Sequence, residues 1–256
     1  MEQSRSKATE VALQELLDKY NVKVDQPLSL STFSQPGDSL QLLPGWHLLA
    51  SLPKTNQQPL LTWRVNRAFT ELRKIIADSV VENACLFRFS CLASPDQWSV
   101  DALIYREIDL CEFISGGKTM SVFAVREKQS INIILRLDTG VLCSIEISTQ
   151  LPAGSPFQER HELIGQRGTA SDRVVDTQVS QYSIYGYTRN GIEQYKDTDM
   201  ELFGFDENQI EHVRSAFELL KTPVLIRQWA DQHLHLVNLV NAVHTSASER
   251  RKVIIA

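Results

Sequence analysis

Glycine is scarce where a nucleotide-binding chain needs it most. None precedes Gly37, and no Gly-x-Gly-x-x-Gly occurs among the 11 glycines. Such a turn lets the backbone approach a pyrophosphate seated on a helix N-terminus. Its absence argues against a dinucleotide-binding unit, so no cofactor is expected. No apolar run approaches the length of a membrane span, and no membrane partner is expected. The N-terminal Met1-Glu2-Gln3-Ser4-Arg5-Ser6-Lys7 lacks the apolar core of a signal peptide, which makes a cytoplasmic protein the default. No cysteine pair has Cys-x-x-Cys spacing. Cys85, Cys91, Cys111 and Cys143 read as buried reduced thiols, with a metal site or a disulfide framework as the alternative. Basic residues are outnumbered, 26 Lys and Arg against 31 Asp and Glu, and the net charge of -5 argues against a phosphate-binding surface for nucleic acid. Glycine and tryptophan are too sparse for a propeller, and no internal period is visible.

What is present is an ordinary globular composition, 43% hydrophobic and 22% charged over 256 residues. That length can bury one large core or two small ones. Leu13, Leu16, Leu17 and Tyr20 share one helical face, opposite Glu10, Gln14, Asp18 and Lys19. Val22-Lys23-Val24 alternates as a short strand would, and Pro27 ends it. Residues 31–59 are loop-rich, punctuated by Pro36-Gly37, Pro44-Gly45, Pro53 and Pro59, with room for one short helical piece. The division expected here separates an N-terminal remnant, 1–59, from a main domain, 60–256.

Leu60 to Val65 reads as a strand, and Phe69, Leu72, Ile76 and Val80 form a helical stripe. Beyond Glu82-Asn83 the pattern is mostly β. Ile131–Leu137 and Val141–Ile147 flank Asp138-Thr139-Gly140, a hairpin signal because such turns need φ > 0. Gly165-Gln166-Arg167-Gly168 and Tyr187-Thr188-Arg189-Asn190-Gly191 read as further turns. Short turns imply antiparallel pairing, since parallel pairs need long crossovers. Ile210, Val213, Phe217 and Leu220 then form a helix that Asp206 can cap. Pro223 suits the first turn of a last helix, striped by Trp229, Leu236, Leu239, Val240 and Val243. Ser246–Arg251 reads as a polar turn before a closing strand.

Four segments, in order, carry a resemblance. They are Val22-Lys23-Val24-Asp25-Gln26-Pro27-Leu28, then Val65-Asn66-Arg67-Ala68-Phe69, then Arg106-Glu107-Ile108-Asp109-Leu110 running to Gly116, and Ile164-Gly165-Gln166-Arg167-Gly168-Thr169. The set resembles the glucose–fructose oxidoreductase / inositol dehydrogenase (Gfo/Idh/MocA) family. The likeness is to its C-terminal domain, with the N-terminal Rossmann domain largely missing. The fold it implies is α+β: a large, mostly antiparallel sheet with helices on one face and a small degenerate N-terminal α/β remnant.

The resemblance also locates the family's proton-transfer groups. Gln26 stands at its lysine, Arg106 at its histidine and Ala102 at its aspartate, so no catalytic residue is expected. Glutamine does not titrate, and guanidinium stays protonated at any working pH. Asp101 is adjacent to the lost aspartate, and Asp109 survives. Arg106, Tyr105, Asp101 and Asp109 are the candidate ligand-binding residues. Arg106 would serve as a fork for a carboxylate or phosphate, or else pair with Asp101, Glu107 or another acid. Tyr105 reads more simply as core. His233 and His235, two apart on a helix, cannot chelate one ion, and His161 draws no role. The set implies a non-catalytic binding or assembly protein on an oxidoreductase scaffold. The alternative is a sugar or polyol oxidoreductase component whose NAD or NADP domain is supplied by another chain. Ile134 and Leu142 put apolar side chains on the sheet face away from the helices. A homo-oligomer, most simply a homodimer, is expected through that face, and a small-molecule ligand is left open.

Overall fold

A computed structural model describes residues 2–30, 39–50, 53–172, 185–188, 191–194 and 204–255. The chain divides into two compact units, one of residues 1–66 and 197–235, the other of residues 67–196 and 236–256.

The first unit is built on a three-stranded parallel sheet, in the order β1 (Leu28–Ser29), β2 (Leu40–Pro44), β3 (Gln57–Leu60). Helix α1 (Glu2–Lys19) buries Leu13 and Leu17, while Tyr20 stays half exposed against Phe217, ring centroids 5.3 Å apart. Phe217 lies on α4 (Glu207–Lys221), which starts at a full capping box: Asp206 accepts from the Gln209 N–H and the Gln209 side chain accepts from the Asp206 N–H. His212 on α4 donates from Nε2 to the Leu42 carbonyl at 2.9 Å. Two expectations fail in this unit. Val22–Val24 forms no strand, because Asn21 (φ 54) ends α1 and three residues without a paired neighbour cannot hold a ladder. Leu60–Val65 is not a strand beyond Leu60: Thr62–Val65 is a 3-10 turn. Leu60, Leu61, Thr62 and Trp63 are all buried, which alternating strand faces would not allow.

The second unit carries a six-stranded sheet. Its strands are β4 (Glu82–Leu92), β5 (Thr119–Glu127), β6 (Ser130–Leu137), β7 (Leu142–Ser148), β8 (Gln158–Ser171) and β11 (Val253–Ile254). The order is β11-β5-β6-β7-β4-β8, antiparallel throughout except for the parallel β4–β7 pair. The β6–β7 hairpin turns at Gly140 (φ 87), as its Asp-Thr-Gly turn predicts. Tyr185–Thr188 and Gly191–Gln194 form a small antiparallel ribbon, β9–β10. The architecture is therefore α+β with a mostly antiparallel sheet.

Helix α2 (Arg67–Ala77) follows the predicted stripe through Phe69 and Leu72, but Val80 lies past its end and is exposed. Helix α3 (Val100–Ser115) is buried nearly all round, and four of its buried residues, Arg106, Glu107, Asp109 and Glu112, are charged. Ser99 caps it by accepting from the Ala102 N–H at 3.1 Å, and Gly116 closes it in the left-handed conformation (φ 70). One sheet face is buried by strict alternation: Ile131, Ile133, Leu135 and Leu137 on β6, and Cys143, Ile145 and Ile147 on β7. On the other face Val125, Ile134 and Leu142 are exposed. The last helix, α5 (Val224–Glu249), begins just after Pro223 and runs through the expected Ser246–Arg251 turn to Glu249. It continues because Ser246 is a buried anchor. Its Oγ accepts from the Ala124 N–H at 3.0 Å and donates to the Arg251 carbonyl at 2.6 Å. Arg250 (φ 52) then ends the helix.

The cysteines correct a further expectation. Cys111 on α3 and Cys143 on β7 are paired as a disulfide, their Cα atoms 6.8 Å apart, because α3 lies directly on β7. Cys85 is exposed, and Cys91 alone is a buried free thiol. Among the described residues no helix is long and apolar enough to cross a membrane.

Candidate functional site

The chemistry of the second unit gathers at one enclosed point, supplied by β4, α3 and β8. Phe89 on β4 pairs with His161 on β8, so alternation turns Cys91 and His161 to the helix-covered face with Leu163. Cys91, Glu107 and His161 are each 0% exposed. Eleven residues of straight strand would part His161 from Asp172 by roughly 36 Å. Instead the chain reverses near Gly168 (φ 123) and returns. The Asp172 N–H donates to the His161 carbonyl at 3.3 Å, and the His161 N–H donates to Asp172 Oδ1 at 2.8 Å.

The imidazole of His161 lies between two carboxylates. Nδ1 donates to Asp172 Oδ2 at 2.5 Å and Nε2 donates to Glu107 Oε2 at 2.9 Å. Phe69 and Phe89 meet the ring edge-on, at 4.9 and 4.7 Å between centroids. Arg106 bridges the other side of the cluster: Nη1 donates to Glu107 Oε1 and Nη2 forms an ion pair with Glu159 Oε2, both at 2.6 Å. Its guanidinium also lies over the Phe69 and Phe157 rings at 5.2 and 5.6 Å.

Burial alone would raise the Glu107 carboxyl, but the His161 and Arg106 cations outweigh it and bring it down to about 2. Burial alone would lower the His161 imidazole, but the Glu107 charge and the hydrogen bond to Asp172 hold it well above its ordinary value. The Cys91 thiol is pushed up to about 12, chiefly by burial and then by Glu107. These directions decide what the constellation cannot do. Cysteine, histidine and aspartate together suggest a nucleophilic triad, yet the nucleophile there must be a thiolate and the histidine a free base. Here the thiol keeps its proton, the imidazole holds two, and neither reaches solvent.

The candidate residues read from sequence are placed as follows. Arg106 is 5% exposed and held within the cluster, Tyr105 and Asp109 are wholly buried on the same helix, and Ala102 is buried near its start. Asp101 is half exposed, with His244 Nε2 at 3.3 Å and Arg126 Nη1 at 3.7 Å. Gln26 is exposed in the first unit. Of the candidates, only Arg106 joins the cluster. Sequence reading missed Cys91, Glu107, His161 and Asp172 as a set. The available signal was phase: His161 and Leu163 share one strand face, opposite Glu162 and Ile164, so a buried leucine implies a buried histidine.

No family model and no curated protein matches the sequence. Solved structures do match. One is assigned as a myo-inositol dehydrogenase of Sinorhizobium meliloti 1021, 19% identical with a TM-score of 0.56, covering 78% of this chain and 65% of that one. A myo-inositol dehydrogenase of Corynebacterium glutamicum matches with a TM-score of 0.59 at 12% identity, over 98% of this chain and 78% of that one. The myo-inositol 2-dehydrogenase of Lactobacillus plantarum gives 0.61 at 10% identity, over 95% of both chains. The chain shares the fold of these dehydrogenases. It spans slightly less than two thirds of the Sinorhizobium protein. At these identities the likeness is one of architecture, and function must be argued from residues.

Proposed function

We propose that the chain is a non-catalytic binding or assembly protein built on the substrate-domain scaffold of an oxidoreductase. One observation carries the reading. Arg106 stands where the resemblance places the catalytic histidine, and its guanidinium is spent inside the core on Glu107 and Glu159. A group that exchanges a proton with substrate must titrate near the working pH and reach the substrate. Arg106 does neither. Gln26, at the lysine position, cannot titrate either. Assembly would use the open sheet face, where Val125, Ile134 and Leu142 are exposed. A two-fold axis there would bury the same patch on both copies.

A second reading rests on the fold itself. A scyllo-inositol dehydrogenase of Lactobacillus casei with this fold was solved with NAD(H) and scyllo-inositol bound. In that reading the chain is an oxidoreductase component acting on a sugar or polyol, with the nicotinamide domain on another chain. Titration calorimetry with NADH and NADPH, followed by a turnover assay on inositols, separates the two. The non-catalytic reading expects no heat at micromolar cofactor and no turnover. Turnover that is lost in Arg106→Ala overturns it.

A further inference from the structure

We propose that Cys91, Glu107 and His161 form a binding site for one divalent transition-metal ion, with zinc the best match. Their ligand atoms, one sulfur, one carboxylate oxygen and one ring nitrogen, all lie within 4.8 Å of one another. Two ligands on one tetrahedral zinc ion stand roughly 3.2–3.8 Å apart, from bonds of about 2.0 Å to nitrogen and 2.3 Å to sulfur. Small side-chain shifts therefore close the cage. Among the described residues this is the one such group of three that includes a thiol and an imidazole.

What raises the cluster above a chance meeting is the layer behind it. A metal-bound histidine nearly always donates its second ring N–H to a carboxylate, which fixes the ring and its tautomer. His161 already does so through Nδ1, to Asp172 at 2.5 Å, and that leaves Nε2 aimed at Glu107 and Cys91. Glu107 is oriented in the same way. Its Oε1 is taken by Arg106 at 2.6 Å, and its Oε2, which accepts from His161 Nε2 in the metal-free chain, turns to the ion as binding releases the Nε2 and thiol protons. Arg106 sits close by, with Nη1 4.0 Å from Cys91 Sγ, but Glu159 answers its charge at 2.6 Å. The donors come from two strands and a capped helix rather than from loops, which holds their geometry. A sulfur–nitrogen–oxygen set favours zinc or cobalt over calcium or magnesium, which take oxygen ligands. This inference is independent of the proposed function, since an ion closed off from solvent fastens β4, α3 and β8 together without meeting a substrate.

Cobalt(II) titration tests it. The probe protein is the full chain carrying Cys85→Ala, which removes the exposed thiol, stripped of metal with a chelator. One equivalent should bind, with thiolate-to-cobalt charge-transfer absorption that zinc abolishes. Cys91→Ala should abolish the charge-transfer band. Asp172→Asn keeps all three ligands and should weaken binding about 10–100-fold. A folded parent chain that shows no thiolate band overturns the proposal, whether or not the Cys91 variant folds. So does a band that survives Cys91→Ala, or an affinity undiminished in Asp172→Asn.

Discussion

Replacing Glu107 with glutamine removes one charge from a fully enclosed point of the second unit, and its cost can be worked two ways. Glu107 is fully buried and bonded to both Arg106 and His161. Removing one partner of a buried ion pair leaves the other uncompensated, at a cost of about 3–5 kcal/mol. The second route is linkage. A carboxyl held at about 2 rather than 4.5 favours the folded state by roughly 3 kcal/mol at neutral pH. The two agree in order of magnitude. The sign of the pH dependence follows for the metal-free chain. The Glu107 contribution is complete above pH 4.5 and is lost as pH falls toward 2. The His161 contribution is complete below its ordinary value and is lost as pH rises through its raised folded value. Because the chain has two units, a single melting curve mixes them. Native-state hydrogen exchange of the β4 and β8 amides reads the relevant unit directly. Glu107→Gln should lower protection there by 2 kcal/mol or more. A loss under about 0.5 kcal/mol, the range of ordinary surface substitutions, would refute the account of the cluster as a tightly coupled buried network.

Two other outcomes are expected. Ile134→Lys should weaken self-association, read by light scattering, while leaving the thermal stability of dilute protein within about 0.5 kcal/mol, because Ile134 is 44% exposed. A wild-type chain that stays monomeric at high concentration sinks the sheet-face assembly. Asp206→Ala removes the capping carboxylate from α4 and should cost about 1 kcal/mol, seen as faster amide exchange in its first turn and not in β4 or β8.

The sequence was most legible where structure is local. The helical stripe through Phe69 and Leu72, the Asp138-Thr139-Gly140 turn and the Asp206 cap each depend on residues a few positions apart, and each is found. Alternation along β6 and β7 correctly exposes Ile134 and Leu142. Leu60–Val65 misleads because a run of apolar residues marks burial without marking backbone, and a 3-10 turn buries neighbours that a strand would separate. Ser246 looks like turn chemistry because its hydrogen-bond partners on β5 and at Arg251 do not show in the helix pattern. The cluster was illegible for the same reason on a larger scale. His161 draws no role from sequence until Asp172, Glu107 and Phe69 are seen to meet its ring. Arg106 could be narrowed to an ion pair from sequence, but Glu159 could not be named as its second partner.

The one parallel pairing in the large sheet has a kinetic consequence. β4 lies beside β7, yet α3 and the β5–β6 hairpin intervene in the chain. The β5–β6–β7 meander closes through short loops and pays little loop entropy, whereas Phe89 can meet Ile145 only after a long excursion. Such non-local contacts raise contact order and slow folding. Cys91, Glu107, His161 and Asp172 therefore come together only once β4 and β8 have docked, so the cluster marks the finished unit rather than its nucleus.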